Sequence, residues 1–313
     1  MTRNTVRSAA CAGVLALGTV LAAAPRVAFS AGVLRRDGVI VPFAVFDGKR
    51  WISRWPRPDV DAPVPITTRD VPAAWWGPTG ALDSWQAWTA AGAMTLHVVQ
   101  PDWVDVHCER QIGLRANYAA PVPAPPPIEQ PYPKDGLAVS PPQPVERIAV
   151  VPITSDEARA LIPAVHEALN KAERQIESDY DHPVKRRARE GRAPDIEAVY
   201  AVGEHPRVYY VEATRRYRLL GQAIDNCAGI AFGTGWFSRD GEDVRSLETA
   251  VDLLRCDLRG ANYMLPLGAM RIADRLYWLA QFAGFDHERY VVVEIKPKTV
   301  AAVLSVWGGS CPR

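Results

Sequence analysis

At 313 residues, with 48% hydrophobic and 23% charged residues, the chain has ordinary globular composition and enough length for one large core or two modest ones. Wholesale disorder is excluded. The formal net charge of +1 gives no electrostatic footprint for nucleic acid.

The first thirty residues read as a secretory signal peptide. Arg3 and Arg7 form a short basic region, Ala9 to Ala24 carry no charge, and Ala28-Phe29-Ser30 puts small residues at the −3 and −1 positions before Ala31. The apolar run is short and Ala-rich for a span of about 20 residues. Removing residues 1–30 takes away Arg3, Arg7 and Arg26 and no acid, leaving 33 basic against 35 acidic residues, a net charge of −2. No later stretch is apolar enough to form a transmembrane helix. The expected location is the periplasm or the extracellular space.

Four cysteines remain: Cys108, Cys227, Cys256 and Cys311. An even count in an exported chain favours disulfides, and no paired Cys or His spacing suggests a metal. Neither a metal nor a cofactor is expected.

Residues 31–118 read as a Trp-rich β lobe. Val39–Phe46 is a strand, Asp47-Gly48 a tight turn, and Lys49–Trp55 its return. Pro42 cannot donate to a ladder, so this strand is expected at a sheet edge. Seven of ten tryptophans fall between Trp51 and Trp103. They either fill an irregular core or offer a platform to a glycan or an extended peptide, with Trp75, Trp76, Trp85 and Trp88 as the ligand-binding candidates. Strands are expected at Met94–Val99 and within Val104–Tyr118.

Ten prolines lie between Pro121 and Pro144, and residues 119–145 read as a polyproline linker or strap. Residues 146–313 follow as an α+β lobe. Thr154 and Glu157 fit a capping box, and Ile162, Val165, Ala168, Leu169, Ala172 and Ile176 share one helical face. Pro163 should kink that helix or mark a restart. Asp179–Pro194, with the Lys185–Arg189 basic cluster, reads as an exposed charged stretch.

Strands are also expected at Ile196–Val202 and Arg207–Tyr217. In Cys227–Phe237, bulky Ile230, Phe232 and Trp236 alternate with Gly or Ala at 229, 231, 233 and 235, which leaves one face bare for close approach. A two-residue Gly241-Glu242 loop places Cys227 opposite Cys256, with Cβ atoms about 4.5–5.5 Å apart, near enough to bridge. Cys108 then pairs with Cys311. Residues 244–256 also suit a helix, and 299–307 suit either element.

The last hairpin, Arg275–Ala283 with Arg289–Ile295, has Asp286-His287 at its tip. Its Phe282–Tyr290 segment shares five of nine residues with Phe43–Trp51, so one supersecondary unit is expected at both ends. Repeated hairpins of this kind point to a propeller or a closed barrel.

No motif names a reaction. His287-Glu288 lacks the second histidine of a zinc-protease helix, and His107-Cys108-Glu109 carries a cysteine expected to be bridged. His182 and His205 precede prolines and read as turn residues. Asp274, Asp286, Glu288 and Glu294 are the carboxylates a glycosidase would draw on, with salt bridges to Arg275, Arg289 and Lys296 as the plainer reading. Asp286, His287, Glu288 and Arg289 are the loop candidates. The expected fold is mainly β with one long helix (α+β), built of antiparallel hairpins in two lobes. The expected function is a non-enzymatic binding or scaffold protein. A polysaccharide hydrolase or a purely structural envelope protein is the alternative.

Overall fold

The computed structural model describes residues 28–53, 65–71, 84–126, 131–179, 182, 184–189, 192–218 and 227–311. Strands come first: β1 (Phe29–Arg35), β2 (Val39–Phe46), β3 (Trp51–Ile52), β4 (Ser84–Thr89), β5 (Gly92–Val106), β6 (Glu109–Ala116) and β7 (Lys134–Ser140). After β8 (Ala149–Val150) come helices α1 (Asp156–Asp179) and α2 (Arg186–Arg189). Then follow β9 (Asp195–Val202), β10 (Arg207–Arg218), β11 (Cys227–Asp240) and β12 (Asp243–Leu254). The chain ends on β13 (Tyr263–Ile272), β14 (Arg275–Ala283), β15 (His287–Ile295) and β16 (Val300–Ser310).

Six strands in the order β1-β7-β4-β5-β6-β2 close on themselves through the β1–β2 pair, giving an antiparallel barrel with β3 appended to β2. Closure removes the sheet edges. Alternate residues point inward, and Leu34, Ile40, Trp85, Leu96 and Leu114 fill the interior. On the outside of β1, β2 and β7, Phe29, Val33, Val41, Phe43, Leu137 and Val139 pack on Tyr277, Leu279, Tyr290 and Val292 of the four-stranded sheet β13-β14-β15-β16. The opposite face of that sheet, through Leu276, Trp278, Val291 and Val293, packs on Val208, Tyr210 and Trp236 of the five-stranded sheet β12-β11-β10-β9-β8. Leu161, Val165 and Leu169 of α1 cover the far side of the five-stranded sheet. The molecule is thus mainly β, layered as barrel, sheet, sheet and helix. No helix among the described residues is long and apolar enough to cross a membrane.

The Pro-rich segment is not only a linker. Residues 134–140 carry no proline, and as β7 they sit between β1 and β4 inside the barrel wall. The division between the barrel and the rest falls after Ser140. The expected edge at Pro42 is likewise corrected. Pro42 faces Gly32 where the β1–β2 register shifts, and β6 and β3 pair only with Val39–Ile40 and Val45–Phe46. The missing donor therefore falls in an unpaired window of an interior strand. The Asp47 turn is four residues long, with Asp47 Oδ1 accepting from the backbone N–H of Lys49 and Arg50, both at 2.9 Å. Strand β1 starts at Phe29, which is 1% exposed and lies 5.6 Å from the Phe46 ring. The expected signal segment therefore runs two residues into an ordered strand.

Residues 243–254 and 300–310 are both strands. The Gly241-Glu242 loop forms as expected, with Gly241 at a φ of 62° and Asp240 opposite Asp243. A bulge at Leu247 then shifts the ladder by one residue, yet Cys227 and Cys256 still bridge across a Cα separation of 6.0 Å. Cys108 bridges Cys311. Two such bonds belong to an oxidising compartment rather than the cytoplasm. The bare face of β11 receives α1: a Cβ built on Gly233 would lie 2.2 Å from Leu169. The helix is capped one residue later than expected, by Ser155 Oγ accepting from the Ala158 N–H at 3.1 Å. It continues through Pro163.

The segment after α1 is not uniformly exposed. Glu173 is buried and accepts from Arg215 at 2.6 Å and from Tyr217. The His182 ring lies 3.0 Å from the same carboxylate and Arg189 3.8 Å from it. The basic cluster thus contributes Arg189 to a buried network instead of a purely solvated face.

The tightest point of the barrel is Gly136, where an added Cβ would lie 2.0 Å from the carbonyl oxygen of Trp88. Backbone cannot give way as a side-chain tip can. Gly136→Ala is expected to part β4 from β7 and cost about 3 kcal/mol, read as a lower urea midpoint at unchanged slope.

Candidate functional site

Each strand of the four-stranded sheet sends alternate residues to opposite sides, and this parity sorts the loop candidates. Glu288, 0% exposed, points toward the barrel and meets Lys134, 1% exposed, at 3.1 Å. Gln281 donates to the same carboxylate at 3.1 Å, and Tyr290 donates to its other oxygen. Burial pulls the Lys134 ammonium below its usual range, with Glu288 opposing that shift. This is an ion pair locking barrel to sheet. Asp286 holds His287 Nδ1 at 2.8 Å, and Asn262 holds Nε2 at 2.7 Å. Both ring nitrogens of His287 are thus engaged within the protein.

Arg289 points the other way, into a cleft of about 260 Å³ between the two open sheets. Tyr210 and Trp236 come from the five-stranded sheet, Phe282 and Ser305 from the four-stranded one, and Glu248 with Thr249 from the edge strand β12. The Arg289 guanidinium carbon lies 5.9 Å from the Phe282 ring centroid. Among the described residues neither Arg289 nor Glu248 has an ion-pair partner. Tyr210 is buried beside Glu212, and desolvation keeps its hydroxyl neutral.

Trp307 is the register partner of Arg289 across β15 and β16, so both side chains stand on the same face. It is 50% exposed. The His287 ring stacks on it at 5.2 Å and 9°. Trp307 does not itself line the cleft but stands at its margin, two positions along β16 from the lining Ser305. The register shifts beside Arg289, leaving Gly308 as the extra residue. A Cβ there would lie 3.0 Å from both the Glu288 carbonyl oxygen and the Tyr290 ring. Such bulges re-aim side chains, and this one sets Trp307.

The tryptophans singled out from the sequence fare differently. Trp85 is 2% exposed inside the barrel, which removes it as a platform: inward strand parity and the closed wall put it in the core. Trp88 is half-buried and lines a second cleft of about 550 Å³, with Ala90–Ala93, Val145, Ile148 and Leu265–Leu267. That cleft is chiefly apolar. Its charges, rim Arg147 aside, are already paired: Asp135 with Arg36 and Glu146 with Arg271. Trp75 and Trp76 lie outside the described residues. Sequence reasoning misses Trp307 and Trp236 as site residues, although the bulky-against-bare alternation of β11 already sets Trp236 apart.

The four carboxylates named together are dispersed. Asp286 is on His287, Glu288 on Lys134, and Glu294 on Arg275 at 2.6 Å, whose hydrogen bond lowers the carboxyl pKa. Asp274 sits at the β13–β14 turn with a φ of 64° and lines a different cleft. A further carboxylate, Glu212, is 2% exposed, and burial raises it to about 7. Its Oε1 accepts from the Met264 N–H at 2.6 Å. Because Pro266 has no N–H, Glu212 thereby satisfies the outward backbone donor at the start of edge strand β13. The two copies of the repeated segment meet, Phe43 stacking on Tyr290 at 5.1 Å. They are not equivalent, since Phe46 is buried and Phe285 exposed. No protein-family model matches the chain, and neither a curated protein nor a solved structure does.

Glu212 sets a pH dependence. Its carboxyl is raised from an ordinary 4.5 to about 7 on folding, so the folded state keeps the proton longer than the unfolded one. Its contribution is full below about 4.5 and is lost as pH rises through about 7, in all about 3 kcal/mol. Urea unfolding of Glu212→Gln between pH 4.5 and 8 should show a correspondingly flatter stability profile than the parent chain. An unchanged slope would remove this role.

Proposed function

We propose that the protein is an exported, non-enzymatic binding protein that takes part of a glycan in the cleft between its two open sheets. One observation carries the reading: Trp307 is braced on one face by His287 and open on the other, beside the unpaired Arg289. A flat indole face suits the apolar face of a sugar ring. Glu248, Thr234 and Ser305 line the same cleft and match ring hydroxyls, which donate and accept at once.

The hydrolase alternative has less support. Glycoside hydrolysis draws on two carboxyl groups flanking the scissile bond, about 5–10 Å apart. Glu248 is the one carboxylate among the cleft-lining residues described. Export to the periplasm or the extracellular medium is part of this proposal and agrees with two disulfides.

Titrating the chain with a glycan panel while following Trp fluorescence tests the reading. At least one glycan should shift the emission, and Trp307→Ala should weaken its binding tenfold or more, about 1.4 kcal/mol. Silence across the panel, or a response only to extended peptides, would overturn it.

A further inference from the structure

We infer that the cleft selects an acidic sugar, a hexuronate whose ring lies on Trp307 and whose carboxylate is held by Arg289. This rests on the glycan-binding reading and narrows it. Directly opposed antiparallel residues hold their Cβ atoms about 4.5–5.5 Å apart. The register of Arg289 with Trp307 therefore sets both side chains on the same face, with the guanidinium toward the Phe282 ring on the neighbouring strand and the indole on the other side of β15. A carboxylate on the sugar's exocyclic carbon meets the planar guanidinium fork bidentately, which a neutral hydroxymethyl group cannot do.

The facing wall narrows the choice. Glu248, exposed like Arg289, brings a second charge without an ion-pair partner among the described residues into the cleft, of opposite sign, and a ligand that displaces its water must offer it a hydrogen-bond donor. Sulfate would satisfy Arg289 but offer Glu248 no donor and only repulsion. A hexuronate supplies both, with its acid on one side and its hydroxyls on the other. Thr234 and Ser305 accept or donate as the ring hydroxyls require. Size agrees: about 260 Å³ falls below the roughly 300–1,000 Å³ of sites that enclose a whole drug-sized ligand. One ring enters, and the rest of the chain lies outside.

Calorimetric titration of the full chain tests this with three probes: tetragalacturonate, its methyl ester and a neutral hexose tetramer. The acid is expected to bind at least tenfold tighter than its ester. Arg289→Gln should abolish that preference, bringing the acid down to the level of the ester. Because Arg289 is exposed, the variant should keep the parent melting temperature. Equal binding of acid and ester overturns the acidic preference and leaves a neutral-sugar site. A preference that survives Arg289→Gln overturns the assignment to Arg289. Failure of all three probes and of the wider glycan panel overturns the binding reading beneath it.

Discussion

The four-stranded sheet is packed against a neighbour on each face, and everything else hangs on the parity of its strands. In β15, Glu288, Tyr290 and Val292 face the barrel while Arg289, Val291 and Val293 face the second sheet. A one-residue slip would exchange the two sets. It would push the Lys134 partner into the cleft and bury a guanidinium against the barrel. The sequence states this double burial as a nearly unbroken apolar run, Tyr290 to Val293, between charged ends. Such runs belong to strands covered on both sides.

The buried ion pair explains how a barrel made first in the chain finds its place on a sheet made last. Lys134 and Glu288 are separated by 154 residues. Desolvating both charges is costly, and their attraction offsets that only in good geometry. The Gln281 amide and the Tyr290 hydroxyl complete the shell of Glu288, and Lys134 also donates to the Tyr132 carbonyl at 2.6 Å. An apolar pair would tolerate several sliding registers of barrel on sheet, whereas this shell accepts one. Its contribution is better read as specifying that register than as adding stability.

Local features are legible in the sequence and distant ones are not. The β14–β15 hairpin, the β11–β12 loop and the α1 face all rest on periodicity and turn residues within a few positions. The Cys227–Cys256 bond is legible for the same reason, even though the Leu247 bulge displaces the ladder. By contrast, β7 is hidden because prolines flank it on both sides while the strand itself, Lys134 to Ser140, has none. Pro42 reads as an edge because a sequence does not reveal that neighbouring strands stop short of it. The tryptophan cluster misleads in a similar way. Density of aromatic residues along the chain says nothing about which side of a closed wall each one takes, and Trp85 takes the inside. Arg289 is legible as a loop candidate, but its partner Trp307 lies on another strand, joined to it only by a pairing that carries a bulge.

That pairing also accounts for the rigidity of the cleft. The C-terminal end of β16 is tied down in three ways within four residues of Trp307, two of them to the barrel and one to the β14–β15 turn. Cys311 is bridged to Cys108, the Cys311 N–H donates to the Asp286 carbonyl at 2.8 Å, and Ser310 donates to Glu109 through both its N–H and its hydroxyl. A terminal strand otherwise frays easily, and an indole on a fraying strand would lose ordering entropy on every binding event. Here that entropy is lost on folding, so under the proposed glycan reading little of the binding free energy would be spent on ordering the ring. The second disulfide lies at the far end of β11 and β12, the strands that carry Trp236 and Glu248. Each wall of the cleft is therefore held by its own covalent link, one at the end of β16 and one at the end of β11 and β12, and both depend on the oxidising compartment in which such bonds persist.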